Sequence, residues 1–435
     1  MTQKRILLFA AKLGYQTRSF EEAARKLGVE LVYVTDRCHQ LEDPWNDRAL
    51  PVKFETPDAA ARIVIENSRD KRVDGILAIG DRPVIAAAYA ARGLGIAYNH
   101  PLSVEACRSK LRLREIFRDA GLCTPWFRSV PVYPAPEPAL LGISYPCVLK
   151  PLSLSASQGV IRANNREEFR AAAARIQKLL DSPEVQASRE PNLGHMIVEA
   201  YIPGDEVAVE GLLTGGILRV LAIFDKPDPL VGPYFEETIY TTPSRHSFAM
   251  QAEIERSMKS AIAAVGLVQG PIHAEFRLNE DGVWPLEIAP RLIGGLCARA
   301  LRFTAPNVAE TIGLEELLLR SAMESPTAGF AREAQSSGVM MIPVPRSGRY
   351  EGVDGVEDAR KVSGVADIVI TAREHDTIAA WPDGSSYLGF IFARGEKPDQ
   401  VESALRAAHT KLNFKISPLL PVGHPVSGQI KSVDH

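Results

Sequence analysis

The chain has 435 residues, of which 46% are hydrophobic and 24% charged, a composition typical of a folded globular protein. Its 50 basic and 53 acidic residues give a net charge of −3, which disfavours a nucleic-acid partner because such binders usually carry a basic excess. No apolar run approaches the roughly 18 residues of a membrane span, so we expect no membrane association. The five cysteines form neither a C-x-x-C pair nor a Cys/His cluster, which predicts a reduced, cytoplasmic protein.

The first hundred residues alternate between strand and helix patterns. Apolar runs at Arg5–Ala10, Glu30–Thr35 and Gly75–Ile79 predict strands, and residues 18–27 and 59–69 predict helices between them. This alternation indicates a Rossmann-like parallel α/β sheet, which we place at residues 1–102. The first strand is followed by Lys12–Gly14 and not by G-x-G-x-x-G, so we interpret this layer as structural.

The remaining length is expected to hold two further domains, since domains average roughly 150 residues. A single helix is predicted over Ser103–Asp119, with Ser103 as its cap. Further strands are predicted at 145–150, 196–201, 207–213 and 218–224, and helices at 166–180 and 251–265. We place the second domain at 103–330 and a C-terminal α+β module at 338–412, which ends in a helix over 398–411.

Residues 272–289 predict a β-hairpin that carries two carboxylates. Asn279–Gly282 is a turn signal, and a turn centred near residue 281 pairs Glu275 directly with Glu287. His273, Glu275 and Arg277 would share one face, while Trp284, Leu286 and Ile288 would share the apolar face. Opposed like charges destabilise a sheet unless they share a proton, face an arginine or bind a divalent cation.

Magnesium fits the two carboxylates, because it takes oxygen ligands, commonly one or two carboxylates together with substrate phosphates. Arg291 would add a positive charge at the same end of the hairpin. The alternative is a solvent-facing hairpin whose register is off by one residue. His273 by itself is more often a packed histidine than a metal ligand.

A lysine ends a predicted buried strand at Lys150, and the small residues of Ser153–Gly159 follow it. Backbone N–H groups and hydroxyls of such a loop can hold phosphate oxygens, although an ordinary surface loop has the same composition. Further on, residues 196–210 form two acidic strands with a tight link between them, which suits a purine edge and a ribose. Lys110, taken by itself, would be a solvated lysine.

Taken in order, these motifs resemble the ATP-grasp superfamily. The resemblance covers residues 100–330 and consists of Lys110, Lys150 with its loop, the Glu199–Glu206 segment, His273-x-Glu275 and Glu287-x-x-x-Arg291. It implies an ATP-grasp fold after the Rossmann-like domain, with a mobile lid at about 125–205, and ATP and Mg²⁺ as cofactors.

The resemblance also implies a role for each motif residue. Arg291 would stabilise charge on an acyl-phosphate, Glu275 and Glu287 would bind Mg²⁺, and His273 would lie at the substrate. The residues implied to bind ATP are Lys110, Lys150, Ser155, Ser157, Gly159, Glu199, Ala200, Ile202 and Glu206.

Ala289 departs from the pattern, because many members carry an asparagine there as a second-metal ligand. The alanine, the Leu292–Gly295 stretch and the C-terminal module resemble the bacterial L-amino-acid ligase branch. In that branch the small Gly294 and Gly295 would leave room for substrate. Glu237 is a candidate for holding an incoming amino group, although an acid in such a strand is more often a solvated surface residue.

The resemblance implies a carboxylate–amine ligase that forms an amide or peptide bond through an acyl-phosphate and releases ADP and phosphate. Its substrates would be small molecules, an amino acid or other carboxylate and an amine, and the enzyme could be a homodimer. Two alternatives stay open at this point: a carboxylase that uses bicarbonate, and a non-catalytic nucleotide-binding subunit, which Ala289 favours.

Overall fold

A parallel sheet forms the N-terminal layer, as predicted, in a computed structural model that describes residues 3–11, 15–36, 49–137, 142–306 and 308–419. The strand order is β3-β2-β1-β4 and every pairing is parallel. Helices cover both faces, which explains why β1 and β4 are continuous apolar runs. Lys12–Gly14 lies outside the described residues. The elements are β1 Arg5–Ala10, α1 Tyr15–Leu27, β2 Glu30–Thr35, β3 Ala49–Pro51, α2 Pro57–Asn67, β4 Gly75–Ile79 and α3 Pro83–Leu94.

Two helices stand where one was predicted, α4 at Pro101–Arg108 and α5 at Lys110–Asp119. The chain is extended at Ser109, with φ −96° and ψ 106°, and the Ser109 hydroxyl accepts a hydrogen bond from the Arg112 amide at 3.2 Å. Ser109 and not Ser103 is therefore a cap, because a serine that bonds the backbone of the next turn starts a new helix. The break puts Arg108 at the end of one helix and Lys110 at the start of the next.

A four-stranded antiparallel sheet, here called the lid sheet, follows these helices. Its order is β5-β8-β6-β7, and α6 packs on it through Phe169 and Ile176. The mobility of this part stays a prediction. The elements are β5 Phe127–Pro131, β6 Cys147–Pro151, β7 Ile161–Ala163, α6 Arg166–Leu180, α7 Pro183–Ala187 and β8 His195–Ala200.

The central sheet has eight strands and draws on two distant parts of the chain. Residues 205–289 supply β9 Asp205–Thr214, β10 Ile217–Asp225, β11 Ile239–Thr242, α8 Phe248–Val265, β12 Gly270–Asn279 and β13 Gly282–Ala289. After them come the 3₁₀ turn Cys297–Ala300, β14 Arg302–Thr304, β15 Ile312–Gly313, α9 Leu314–Ala322 and β16 Ala331–Arg332. Strands β14, β15 and β16 form a small sheet of their own.

The C-terminal segment completes the central sheet, whose order is β13-β12-β9-β10-β11 followed by strands 17, 21 and 19. The segment comprises β17 Ser336–Ile342, β18 Gly348–Asp354, α10 Val356–Arg360, β19 Val365–Ile370, β20 Thr377–Ile378, β21 Gly389–Gly395, α11 Pro398–His409 and β22 Asn413–Ser417. β18, β20 and β22 form a separate three-stranded sheet. Within the described ranges, no helix has the length and apolarity to cross a membrane.

The hairpin of β12 and β13 has the predicted register, with Glu275 paired with Glu287. A β-bulge follows at once, because Phe276 pairs with Pro285 and Leu286 becomes the extra residue. The bulge reverses the alternation, so Val283 joins Ile288 in the core below the sheet. The expectation that Trp284 and Leu286 share the apolar face is therefore wrong.

Candidate active site

A cavity of about 480 Å³ lies between the lid sheet, the central sheet and the N-terminal layer. Most residues predicted to form a site line it. They are Lys110, Lys150, Ser155, Ser157, Glu199, Ala200, Ile202, Glu206, Glu237, Glu275 and Glu287. The predicted residues outside this lining are Gly159, His273, Arg291, Gly294 and Gly295. Glu275 and Glu287 are paired in the predicted register and both line the cavity, so the alternative with the register off by one residue is wrong.

Glu199 is buried at one end of the cavity, with three cationic contacts on its carboxylate. Lys150 Nζ lies 2.5 Å from Glu199 Oε1. Arg114 donates from Nε at 2.8 Å and from Nη2 at 3.2 Å. Burial alone would raise the pKa of Glu199, but Arg114 and Lys150 outweigh it and lower the pKa to about 2. Arg114 and Lys150 thus favour the carboxylate form of Glu199, while the amides of Ala200 and Tyr201 donate to the carbonyls of Trp126 and Pro146.

Arg114 was missed by sequence reasoning, although its position on α5 could have revealed it. It lies one helical turn after Lys110, among the buried residues of that helix. Its Nη1 also donates to the carbonyl of Leu286 at 2.9 Å, at the bulge of the hairpin. Arg114 therefore ties the lid sheet, through Glu199, to the strand that carries Glu287.

The loop after β6 passes over the cavity with two residues in the left-handed region. Ala156 and Ser157 both have φ 54°, and Ser155 and Ser157 line the cavity. Lys110 Nζ donates to the carbonyl of Leu154 at 2.5 Å, which fixes the start of the loop. Gly159 serves packing instead, since a Cβ there would lie 2.9 Å from Pro151 and Leu179.

Lys226 stands at the centre of three carboxylates that line the cavity. Its Nζ donates to Glu206 Oε1 at 2.7 Å, to Glu275 Oε1 at 3.1 Å and to Glu237 Oε1. Burial opposes the charged ammonium, but the three acids outweigh it and raise the pKa of Lys226 well above its ordinary value. Lys226 was missed because its partners come from different strands and only the fold brings them together.

The pKa values of Glu237 and Glu275 are shifted in opposite directions because their surroundings differ. Burial and the neighbouring Glu275 raise the pKa of Glu237 to about 7, although Lys226 opposes the shift. Burial would also raise the pKa of Glu275, but Lys226 and His273 lower it well below its ordinary value. Glu206 is held on its other oxygen by Arg277, whose Nε donates at 2.9 Å.

His273 supports the site from behind. Its Nδ1 lies 2.5 Å from Glu210 Oε1, and its Nε2 lies 3.4 Å from Glu275 Oε1. Burial lowers the pKa of His273, but Glu210 and Glu275 outweigh it and raise the pKa to about 10. Glu210 also accepts a hydrogen bond from the Ile293 amide at 3.1 Å. His273 lies outside the lining of the cavity and contacts Glu275, so its role at the substrate stays a prediction.

Arg291 is bound to the N-terminal layer through Asp81, a residue that sequence reasoning missed. Arg291 Nε donates to Asp81 Oδ1 at 2.5 Å, and its Nη2 lies 3.9 Å from Glu287 Oε1. Burial would raise the pKa of Asp81, but Arg291 and two neighbouring cations lower it. Asp81 follows the carboxyl end of the parallel strand β4, where α/β sheets place their ligand-binding residues.

The two glycines predicted to make room for substrate do not border the cavity. Gly295 has φ 61°, and a Cβ there would lie 2.9 Å from the ring of Phe390. The space that a side chain at 295 would take is thus filled by β21 of the C-terminal segment. A Cβ at Gly294 would meet nothing within 4 Å.

A cation can be held in either of two carboxylate sets. Among the described residues, Glu206, Glu237 and Glu275 offer oxygens within 4.8 Å of one another, but Lys226 Nζ already binds all three of these carboxylates. The other set is the hairpin pair, because Glu275 and Glu287 lie opposite each other and both face the cavity. Two carboxylates that leave positions open for phosphate oxygens suit Mg²⁺, and Ala289 offers no further ligand.

Three family descriptions match successive parts of the chain. They are an ATP-grasp N-terminal domain at residues 20–97, an ATP-grasp domain at 143–300, and an L-amino acid ligase C-terminal domain 2 at 340–417. The second match contains three of the four strands of the lid sheet, β6, β7 and β8, and the hairpin. The third contains β19, β21 and the end of β17, which complete the central sheet.

Similar proteins cover most of the chain at modest identity. The crystal structure of an L-amino acid ligase from Bacillus licheniformis is 25% identical, with a TM-score of 0.79 over 96% of this chain and 100% of that one. Protein y4rH of Sinorhizobium fredii is 24% identical over 92% of this chain and 81% of its own length. Alanine–anticapsin ligase of Bacillus subtilis is 27% identical over 52% of this chain, and the match spans only 48% of that ligase.

Proposed function

We propose that this chain, which is an ATP-grasp enzyme resembling the L-amino-acid ligase branch of that superfamily, joins an amino-acid carboxylate to the amine of a second substrate. Its similarity to an L-amino acid ligase and to alanine–anticapsin ligase supports a carbon–nitrogen ligase that forms ADP, and it disfavours the non-catalytic alternative. One observation carries the rest of the proposal. The paired carboxylates of Glu275 and Glu287 face a cavity that also presents Lys110, Lys150 and a serine loop.

ATP would lie between the lid sheet and the central sheet. The Ala200 carbonyl and the Ile202 amide would face an adenine edge, since the Ala200 amide donates to Trp126 and the Ile202 carbonyl accepts from Arg277. Glu206, fixed by Arg277, offers a carboxylate oxygen to the ribose. Lys110 and Lys150 would meet the phosphates, with Ser155 and Ser157 above them. Mg²⁺, held by Glu275 and Glu287, would neutralise charge on the β- and γ-phosphates.

The first step transfers the γ-phosphoryl group to the substrate carboxylate. A carboxylate oxygen forms a bond to the γ-phosphorus, the bond to the β-phosphate oxygen breaks, and ADP leaves. Cationic groups at the cavity lower the barrier because charge spreads over the transferred phosphoryl oxygens. Arg291, fixed by Asp81, is the group we assign to the charge on the acyl-phosphate.

The second step forms the amide bond. The amine nitrogen bonds to the acyl carbon, the carbon–oxygen bond to phosphate breaks, and the nitrogen loses a proton. An acyl-phosphate reacts readily with water, so the reaction needs a closed cavity, which the loop over residues 153–159 can supply. Glu237 stays our candidate for an amino group of the substrates, and it offers that group a carboxylate already aligned by Lys226 and Tyr240.

Product analysis with the purified chain tests this proposal. Incubation with ATP, Mg²⁺ and each of the twenty amino acids in the presence of hydroxylamine is expected to yield an acyl hydroxamate, ADP and phosphate. A parallel incubation with bicarbonate and no amine tests the carboxylase alternative, for which we expect no phosphate release above background. AMP and pyrophosphate as products would exclude the acyl-phosphate route. The cytoplasmic location, the homodimer and the domain boundaries stay predictions.

A further inference from the structure

Two arginines converge on one carboxylate at the wall of the cavity nearest the N-terminal layer. Arg108 Nη2 forms a hydrogen bond to Glu190 Oε2, and Arg82 Nε lies 3.5 Å from Glu190 Oε1. The side chains of Arg82, Arg108 and Glu190 are 21%, 19% and 10% exposed, and all three line the cavity. Arg82 also faces Glu55, whose Oε1 lies 3.5 Å from its Nη2.

The three residues come from parts of the chain that meet only here. Arg82 precedes α3, Arg108 ends α4, and Glu190 lies on the loop between α7 and β8. Glu190 therefore comes from the segment that carries the lid sheet, whereas Arg82 and Arg108 come from the parts of the chain that precede that segment. Such a pair of guanidinium groups is suited to a carboxylate, because each presents a planar fork of donors.

The arginine pair consists of residues other than those assigned to ATP. Lys110 and Lys150 lie on the side of the phosphate loop, where Lys110 contacts Leu154. Arg82 follows Asp81, which holds Arg291, and both Arg108 and Lys110 are close enough to lower the pKa of Asp81. The pair thus lies near Arg291, the group assigned to the charge on the acyl-phosphate.

We infer that Arg82 and Arg108 form a subsite for the carboxylate of the amine substrate, which is therefore an amino acid or peptide, and that Glu190 fills this subsite before that substrate binds. The inference rests on the proposed function. The cavity is otherwise rich in acids, namely Glu206, Glu237, Glu275 and Glu287, so a second carboxylate needs cations of its own. Replacing Glu190 by the substrate keeps the charge of the cluster balanced.

If Glu190 competes with the substrate carboxylate, substitutions of the arginines and of Glu190 should change the affinity for the amine substrate in opposite directions. Loss of either arginine weakens binding of a carboxylate-bearing amine, whereas loss of the Glu190 charge removes the competitor and strengthens it. A purely structural role of the cluster predicts the same direction for all three substitutions, since each breaks the same contact. Hydroxylamine, which has no carboxylate, provides the reference acceptor.

The experiment compares acceptors in the full-length enzyme, using the donor amino acid that gives the most hydroxamate. Acceptors are the twenty amino acids, their α-amides and hydroxylamine. For Arg82→Gln and Arg108→Gln we expect the ratio of kcat/KM for an amino acid to that for hydroxylamine to fall on the order of tenfold. For Glu190→Gln we expect KM for the amino acid to fall severalfold. Arg112→Gln is the matched control, because Arg112 is exposed and pairs only with Glu115 among the described contacts.

Each outcome bears on a different claim. No hydroxamate with any donor would overturn the proposed function itself. Hydroxamate formation with equal use of amino acids and α-amides would leave that function standing and overturn the arginine subsite. Preference for an acidic side chain in an α-amide would place the bound carboxylate on the side chain and not on the α-carbon. A rise in KM for ATP, with the acceptor ratio unchanged, would assign the arginines to phosphate and contradict the inference, as would a raised acceptor KM in Glu190→Gln.

Discussion

Arg175 of the lid and Asp383 of the C-terminal segment form a two-pronged ion pair. Arg175 Nε lies 3.0 Å from Asp383 Oδ1, and its Nη2 lies 2.8 Å from Oδ2. Beside this pair, the side-chain amide Nε2 of Gln158 donates to the backbone carbonyl of Asp383 at 2.9 Å. The backbone amide of Gly159 donates to the carbonyl of Pro382 at 3.2 Å. The C-terminal segment thus fixes the loop over residues 153–159, which we propose to face the phosphates of ATP.

Loss of this ion pair is expected to weaken ATP use more than stability. Arg175 and Asp383 are about 41% and 49% exposed, so their pairing contributes roughly 1 kcal/mol or less to the free energy of unfolding. Asp383→Asn should raise KM for ATP a few-fold, because the loop after β6 loses a support. Steady-state kinetics with urea unfolding measures both quantities. Arg170→Gln is the control, because Arg170 lies on the same helix as Arg175 but pairs with Glu137. An equal rise in KM for ATP in Arg170→Gln would show that the Arg175–Asp383 pair does not support the loop.

Removal of the Lys226 ammonium is expected to destabilise the fold strongly. Lys226→Met leaves Glu206, Glu237 and Glu275 without their shared cation, and breaking a buried ion pair in this way costs roughly 3–5 kcal/mol. Urea unfolding should show this loss, together with loss of phosphate release. Lys259→Met, which removes an exposed lysine paired with Glu255, should change the free energy of unfolding by less than about 1 kcal/mol. Equal effects of the two substitutions would contradict the buried-cluster account.

The hairpin carboxylates should set the magnesium requirement. Glu287 is 40% exposed, so Glu287→Gln should leave stability nearly unchanged while phosphate release falls at least on the order of a hundredfold. Titration of activity with Mg²⁺ should show a raised requirement in this variant. Glu280→Gln, at the turn of the same hairpin, serves as the control. An unchanged Mg²⁺ titration for Glu287→Gln would remove Glu287 from the metal site.

Glu199 should make the stability of the protein depend on pH in the acid range. Its pKa is about 2 in the folded protein and near 4.5 when unfolded, so its contribution is complete above about pH 4.5 and is lost as pH falls towards 2. The full contribution is on the order of 3 kcal/mol. Glu199→Gln should flatten the slope of unfolding free energy between pH 5 and 3, relative to the wild type. An identical slope in both proteins would show that Arg114 and Lys150 do not lower the pKa of Glu199.

The local parts of the site could be predicted from the sequence, because short-range rules decide them. The turn at Asn279–Gly282 fixes the pairing of Glu275 with Glu287, and the strands β1, β2 and β4 have the predicted bounds. The bulge at Leu286 could not be predicted, since it depends on packing across the sheet and on the contact with Arg114.

The long-range contacts of the site could not be predicted. Lys226 follows β10, and its three acids stand on or beside other strands, so only the completed sheet brings them together. Asp81 and Arg291 are 210 positions apart, and no local pattern joins them. The packing at Gly295 could not be predicted either, because the ring beside it belongs to Phe390 on β21, far along the chain.

Isotope transfer tests the acyl-phosphate most directly. The donor amino acid carries ¹⁸O in its carboxylate, and the products of one reaction are analysed by mass spectrometry. If the carboxylate attacks the γ-phosphate of ATP, one ¹⁸O atom appears in the inorganic phosphate and none in a nucleotide. Appearance of the label in AMP, or phosphate without label while the amide forms, would contradict the account.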